Sequence, residues 1–438
     1  MADTSTYIDD FAAFIQASPT SYHAAAESAR RLTAAGFSAL DEGDEWPEGP
    51  GRRFVVRDGA IIAWVVPPAA EPLSPFRILG AHTDSPGFKL KPRPTIGSHG
   101  WLQAGVEVYG GPLLNSWLDR ELELAGRLVT RDGREVLVRT GPFLRIPQLA
   151  IHLDREVNSG LTLDRQRHTA PVFGVGDAST ADLVGLLAER AGLRGDDVAG
   201  YDILTADTAP PARFGLDDAL FAAGRLDNLT SVHAGLTALL APAGDAADGS
   251  APADATGHPA PAIRVFAAFD HEELGSESRS GASGPFLADV LTRVQDGLGA
   301  TAEQRARAFA GSWCLSSDAG HSVHPNYPER HDPVNQPVAG RGPLLKINAN
   351  QRYTTDAHGA ALWQRACEQA GVPYQEFVSN NTVPCGSTIG PLTATRLGIR
   401  TVDVGAPLLS MHSARELAHV DDLVALSAAI GAFYSPGA

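Results

Sequence analysis

Cysteine is scarce in this chain: Cys314, Cys367 and Cys385 are an odd number, and no two of them share a CxxC spacing. Neither a disulfide framework nor a structural zinc knuckle can organise the fold, and a reducing, cytoplasmic setting is the expectation. Long apolar runs are missing too. Nowhere do about twenty uncharged apolar residues stand together, as a membrane span would need, and the N-terminal MADTSTYIDDFAAFIQ lacks a basic segment followed by an apolar one. The sequence therefore predicts a soluble, untargeted protein with no membrane contact. Positive charge is the third deficit: 35 Lys and Arg stand against 51 Asp and Glu, a net charge of −16. Such a field repels polyanions, which excludes a general nucleic-acid binder. If the substrate is acidic, a local cation must attract it.

What the chain does contain is ordinary globular material, 43% hydrophobic and 20% charged over 438 residues, enough for two or three units of domain size. Apolar positions at helical spacing mark two opening helices over 8–16 and 22–35, separated by Ala-Ser-Pro-Thr-Ser. Two β-rich runs around Asp58-Gly59 predict a hairpin over 53–66. Further strands are expected at 76–81, 263–269, 313–317, 344–347 and 401–404. Between 93 and 217 the text turns Gly-rich and β-rich, with pieces at 107–109, 124–130, 135–139 and 144–153 and a helix over 181–193. Other helices are expected over 229–240, 285–298, 302–309, 357–370 and 420–433. The fold class is thus α/β: a mixed-sheet catalytic domain in two parts, 1–92 and 218–438, around an inserted β-rich domain at 93–217. Residues 241–262, almost wholly Ala, Pro, Asp, Gly, Thr and Ser, read as a mobile surface excursion, because they offer little to bury.

The chemistry concentrates where strands end. The strand at 263–269 runs into Asp270-His271-Glu272-Glu273, and a strand that stops in a Gly- and Ser-rich turn presents its last side chains at the carboxyl edge of the sheet, where open α/β sheets place their sites. Neighbouring side chains on such a turn point in different directions, so one Glu could hold a metal while the other reaches a water on it. Taken alone, a Glu-Glu pair is an ordinary solvated turn; company elsewhere in the chain decides otherwise. The strand at 76–81 ends in His82-Thr83-Asp84, an imidazole with a carboxylate able to hold its other nitrogen. Another short apolar run ends in Asp318, the strand at 401–404 leads to His412, and Asp227 stands at a helix start, where it could merely cap. These are oxygen and nitrogen ligands without a thiolate, which suits zinc, manganese or cobalt. Their number suggests two ions, about 3.5–4 Å apart and bridged by one carboxylate.

Eight stretches carry a resemblance: GAHTDSPGFKLKP (80–92), RIPQLAIHLDREVN (145–158), GRLDN (224–228), FDHEELGSES (269–278), SSDAGHSVHPNY (316–327), GPLLKINANQRY (342–353), PCGSTIGP (384–391) and SMHSARE (410–416). In this order, and over nearly the whole chain, they resemble the M18 family of aspartyl aminopeptidases, in the clan of co-catalytic zinc exopeptidases. The resemblance implies that His82 and Asp318 hold one ion, that Glu273 and His412 hold the other, that Asp227 bridges them, and that Glu272 is the general base. It implies that Asp84 orients His82 and that Lys346 faces the acidic side chain of a peptide's N-terminal Asp or Glu. It also implies that the inserted domain forms a dimer, that His152 enters the neighbouring subunit's site, and that dimers assemble into a tetrahedral dodecamer. Gly320, Ser322 and the excursion at 241–262 depart from the family pattern, and none of them is a ligand.

On this reading two divalent ions, zinc or else cobalt or manganese, activate a water, and Glu272 takes its proton and passes it to the leaving amine. Two rivals share part of the pattern. A zinc-dependent deacylase or related amidohydrolase of the same clan would keep the ligands but lack a pocket for an acidic side chain, and GPLLKINANQRY speaks against it. An inactive scaffold on the same fold would be missing ligands or base, and none is missing.

Overall fold

A computed structural model describes residues 4–241 and 261–435; the excursion expected at 241–262 lies, apart from its ends, outside the described residues. Among those described, the chain builds a nine-stranded mixed sheet, a six-stranded sheet and two smaller ones. At the centre of the nine-stranded sheet four parallel strands lie side by side: Ile263–Phe269, Phe76–His82, Trp313–Ser317 and Arg400–Gly405. Their registers set Phe269 opposite His82 and Ser317 opposite Val404, so the four chains emerge at one edge. The antiparallel hairpin of Gly51–Arg57 and Ala60–Val66, turning at Asp58-Gly59, extends the sheet on one side.

The central strands are buried on both faces, which is why their sequences carry no polar alternation. Every residue of Phe76–His82 is buried. Phe76 and Ile78 point into one core with Trp64, Val265 and Phe286, while Leu79 and Ala81 point into the other with Val232, Phe266, Trp363 and Leu426. Period-2 alternation thus feeds two apolar layers, in which each fully buried large side chain contributes about 1.5–3 kcal/mol. The helices Thr4–Ala17, Leu226–Leu240, Ala357–Ala370 and Val420–Phe433 supply the second core, and Phe286–Asp296 the first. A Cβ at position 235 would collide with the Leu79 side chain. Glycine there lets the helix that carries Asp227 lie directly on the strand that ends in His82.

The six-stranded sheet is antiparallel throughout and takes its strands from Gly87–Ser98 to Val198–Asp207. Its own core joins Phe88, Leu90, Trp117, Leu124, Leu128 and Ile203. The boundary expected at 92/93 falls inside Gly87–Ser98, because Phe88 and Leu90 already alternate into that core. The boundary at 217/218 cuts the hairpin of Ala212–Phe214 and Leu220–Ala223, which pairs with Glu416–His419 in a third sheet. Residues 144–153 form no strand: Pro147 interrupts them, and only isolated bridges at Leu144, Arg145 and Ile146 remain. The helix Ile389–Leu397 is invisible to periodicity, since it opens on Gly390 and Pro391 after a Thr388 cap and reads as a turn. The piece expected at 107–109 is the end of a longer strand, Trp101–Tyr109, and the other expected elements stand within a few residues of their predicted bounds. No helix among the described residues is long and apolar enough to cross a membrane.

Candidate metal centre

Each of the four parallel strands hands a side chain to one place. Phe76–His82 ends in His82, Ile263–Phe269 passes through Asp270 into the turn Glu272–Leu274, Trp313–Ser317 is followed by Asp318, and beyond Arg400–Gly405 the chain runs on to His412. Asp227 arrives from the start of Leu226–Leu240. Its carboxylate lies at the middle: Oδ1 is 3.3 Å from His82 Nε2, and Oδ2 is 3.5 Å from His412 Nε2. His82 Nε2 also faces Asp318 Oδ1 at 3.3 Å and Glu272 Oε2 at 4.0 Å, and His412 Nε2 faces Glu273 Oε2 at 3.4 Å. One ligand atom each from His82, Asp227 and Glu273 lies within 4.8 Å of the others. The six residues singled out in the sequence are therefore brought together.

Main-chain carbonyls set both imidazoles. His82 Nδ1 is 3.0 Å from Asp84 O, and His412 Nδ1 is 3.0 Å from Gly111 O. A carbonyl can only accept, so each Nδ1 donates, and each Nε2 is left to face the carboxylates, where it carries a proton in the ion-free site and offers a lone pair once a metal ion replaces that proton. Lone pairs and carboxylates at 3.3 to 3.5 Å call for a positive charge between them. Two orphaned atoms make the same demand: Asp227 Oδ1 and Glu273 Oε1 are buried without a hydrogen bond, where buried polar atoms ordinarily have one. The donor set, imidazole and carboxylate without thiolate, fits zinc, cobalt or manganese.

The electrostatics agree. Burial disfavours charge on His412, yet Asp227 and Glu273 outweigh it and push its pKa up to about 10. His82 is raised in the same way, against its burial, by Asp227 and Asp318. Burial pushes Glu272 up to about 8 despite the pull of His82, and lifts Glu273 well above the carboxylate range. Asp227 is the exception. Burial works to raise it, but the two imidazoles prevail and hold it low. A cavity that would keep protons on two buried imidazoles is one that attracts a cation.

Two further buried carboxylates hold the backbone of this cluster. Asp84 Oδ1 accepts the Glu272 N–H at 3.0 Å, and Oδ2 accepts the Glu273 N–H at 3.1 Å and the Tyr109 hydroxyl at 2.9 Å. Asp84 Oδ1 stands 3.4 Å from His82 Nδ1, farther than the main-chain oxygen of the same residue. The Asp84 side chain therefore braces the Glu272-Glu273 turn more directly than it does the imidazole. On the other side Glu416 Oε2 accepts the Asp227 N–H at 2.9 Å, and Oε1 accepts the His412 N–H at 2.7 Å. Burial, followed by the charge of Asp227, pushes Glu416 up to about 8. Sequence reasoning does not find Tyr109, Gly111 or Glu416, because spacing cannot show which backbone groups fold against which side chains. The one signal was the place of Glu416 at the end of SMHSARE.

Lys346 is 1% exposed, and its Nζ donates to Ala319 O at 2.7 Å, lies 3.5 Å from Asp318 Oδ2 and sits 5.3 Å from the Tyr353 ring centre. It stands inside the site, beside a candidate ligand. His152 lies in an exposed turn, and among the described residues no hydrogen bond or ion pair joins it to the cluster.

The family profile described as "Aminopeptidase I zinc metalloprotease (M18)" matches residues 14–434. A "Probable M18 family aminopeptidase 2" of Streptomyces avermitilis is 55% identical over 430 residues, covering 98% of this chain and 97% of the relative. Among solved structures the chain is similar to one in a cryo-EM structure of the Ape4 and Nbr1 complex, with a TM-score of 0.92 and 34% identity over 98% of this chain and 86% of that one. It is similar as well to a chain of the S. cerevisiae mApe1 dodecamer, with a TM-score of 0.82 and 27% identity over 97% and 95% of the two chains.

Proposed function

Since the chain belongs to the M18 family of zinc aminopeptidases, we propose that it releases N-terminal Asp and Glu residues from peptides, using two divalent ions, zinc before cobalt or manganese. His82 and Asp318 would hold one ion and Glu273 and His412 the other, with Asp227 as the carboxylate shared by both. The observation that carries this reading is the Asp227 carboxylate, whose two oxygens face two different imidazoles at 3.3 and 3.5 Å, as a bridging ligand requires. When bound, the ions supply Lewis acidity at the scissile carbonyl and lower the pKa of a water.

The remaining work falls to the chain's own side chains. Glu272, at 18% side-chain exposure the most open carboxylate of the cluster, takes the proton of the attacking water and returns it to the leaving amine. Burial raises its pKa in the ion-free site, and divalent ions beside it would lower it again and leave it free to accept a proton. Lys346 keeps Asp318 in place. An ammonium has three donors, and the contacts to Ala319 and Asp318 leave one for the carboxylate of an acidic substrate. A cavity of about 270 Å³ is lined by His321, Arg330, His331, Tyr353 and Ser410; burial lowers the pKa of both histidines, so among these five Arg330 is the cation. The segment around His152 reaches the site of a second copy, within a dimer-based tetrahedral dodecamer.

The test is to strip the protein of metal, reload it with zinc, cobalt or manganese, and assay a panel of N-terminal amino-acid amides. Two ions per chain and turnover confined to Asp and Glu are expected. Equal rates on Leu and Ala amides would overturn the specificity, hydrolysis of N-acyl amino acids instead would favour a deacylase, and the lack of stoichiometric metal would point to a scaffold.

A further inference from the structure

Glu416 is 2% exposed. What it meets is main chain. Its two oxygens receive the N–H groups of Asp227 and His412, which lie 189 residues and four residues away in the chain. A carboxylate offers an acceptor on each oxygen, and two converging N–H donors use both. Both recipients need holding. His412 has φ 66 and Arg225, two residues before Asp227, has φ 61, conformations that are costly for non-glycine residues and persist only where surroundings impose them. Other contacts on these residues come from elsewhere: Ser85 Oγ donates to Asp227 O at 2.8 Å, and Leu113 N donates to His412 O at 2.9 Å. Among the described residues, Glu416 is the side chain that accepts a backbone N–H from both segments. It sits on Glu416–His419, whose pairing sets Glu416 opposite Ala223, just before the turn that leads to Asp227. One rigid ribbon thus carries the clamp and approaches both things clamped.

We propose that Glu416 is a positioning residue that fixes the spacing between Asp227 and His412, and with it the affinity of the site for the ion these two share. The proposal rests on the reading of those two residues as ligands. Glu416→Gln is the sharp probe, since the amide keeps the size of the side chain but offers one acceptor and turns its NH₂ on the other N–H. Zinc affinity is measured by chelator competition on metal-free protein, together with the melting temperature of the metal-free form and kcat and KM on an N-terminal Asp amide.

Expected is a 10- to 100-fold loss of affinity for one of two zinc ions, the range typical when a group that orients a ligand is removed, with kcat reduced more than KM is changed. The metal-free melting temperature should move by no more than about 4 °C. Wild-type zinc affinity and kcat in the variant would overturn the proposal. If the variant melts much earlier, saturating zinc decides: recovery of kcat supports a misplaced ligand, and no recovery assigns Glu416 to the fold and overturns it. Wild-type protein that binds no zinc would instead sink the ligand assignment itself, so the two failures are distinguishable.

Discussion

Tyr109 and Asp84 are joined across two sheets: the Tyr109 hydroxyl, at the end of a strand of the six-stranded sheet, donates at 2.9 Å to the Asp84 oxygen that also accepts the Glu273 N–H. The turn bearing Glu272 is therefore fixed through its main chain. Its side chains can be changed without releasing the turn, which makes substitutions there interpretable as chemistry.

Glu272→Gln should keep both ions and lose at least ~10²-fold in turnover, because the amide is nearly isosteric but cannot accept a proton. Elemental analysis and steady-state kinetics on the same sample check this. Activity within about tenfold of wild type would reject Glu272 as the base.

Asp227→Ala should fail in the opposite order and lose metal first. It removes the carboxylate facing both imidazoles, so retention of two ions per chain would refute the bridge.

Lys346→Met should lower kcat/KM for an N-terminal Asp substrate by about 1.5–3 kcal/mol, as for a lost hydrogen bond to a charged group. Because Lys346 also pairs with Asp318, some loss on Leu substrates is expected, but a smaller one. Equal losses on Asp and Leu would confine its role to holding Asp318.

His152→Phe should damage catalysis without touching the metals, and mixing it with Glu272→Gln should restore part of the activity. A mixed dimer contains one site with an intact base and an intact visiting histidine, whereas neither parent has any. Native mass spectrometry of tagged chains establishes subunit exchange; exchanged mixtures no more active than their parents would exclude a shared site.

His23 sets a pH dependence of stability. Burial, with Arg139 and Arg225 adding to it, lowers its pKa from 6.5 to about 4. Between those values the unfolded chain takes up a proton that the folded chain refuses, so this contribution is complete above pH 6.5 and is lost as pH falls toward 4, up to about 3 kcal/mol. Urea midpoints of metal-free protein at pH 6.5 and 4.5 should differ less in His23→Gln than in wild type. An unchanged difference would remove His23 from the account.

Much of the site was legible because its ligands follow buried strands. The apolar runs that end at His82, Phe269 and Ser317 announce a parallel sheet, and acids and imidazoles just past such ends have one edge to occupy. The residues that hold those ligands were not legible. Asp84 was singled out as a partner for an imidazole, but its carboxylate lies closer to two backbone N–H groups, a relation with no periodicity. The boundary expected at 92/93 falls within a strand for a related reason. Phe88 and Leu90 sit within a stretch whose motif belongs to the site while their side chains belong to the core of the six-stranded sheet, so one continuous strand serves both.

The segment from Tyr109 to Leu113 gives the six-stranded sheet a hold on both halves of the centre, through Asp84 on one side and, by Gly111 O and Leu113 N, through His412 on the other. Trimming the chain to its nine-stranded sheet would accordingly not yield a smaller enzyme. Excising 87–207 would take away the carbonyl that decides which His412 nitrogen carries the proton. Any chimera that exchanges the second sheet for another must bring a substitute for these five residues, or it will inherit the ligands without the instruction for using them.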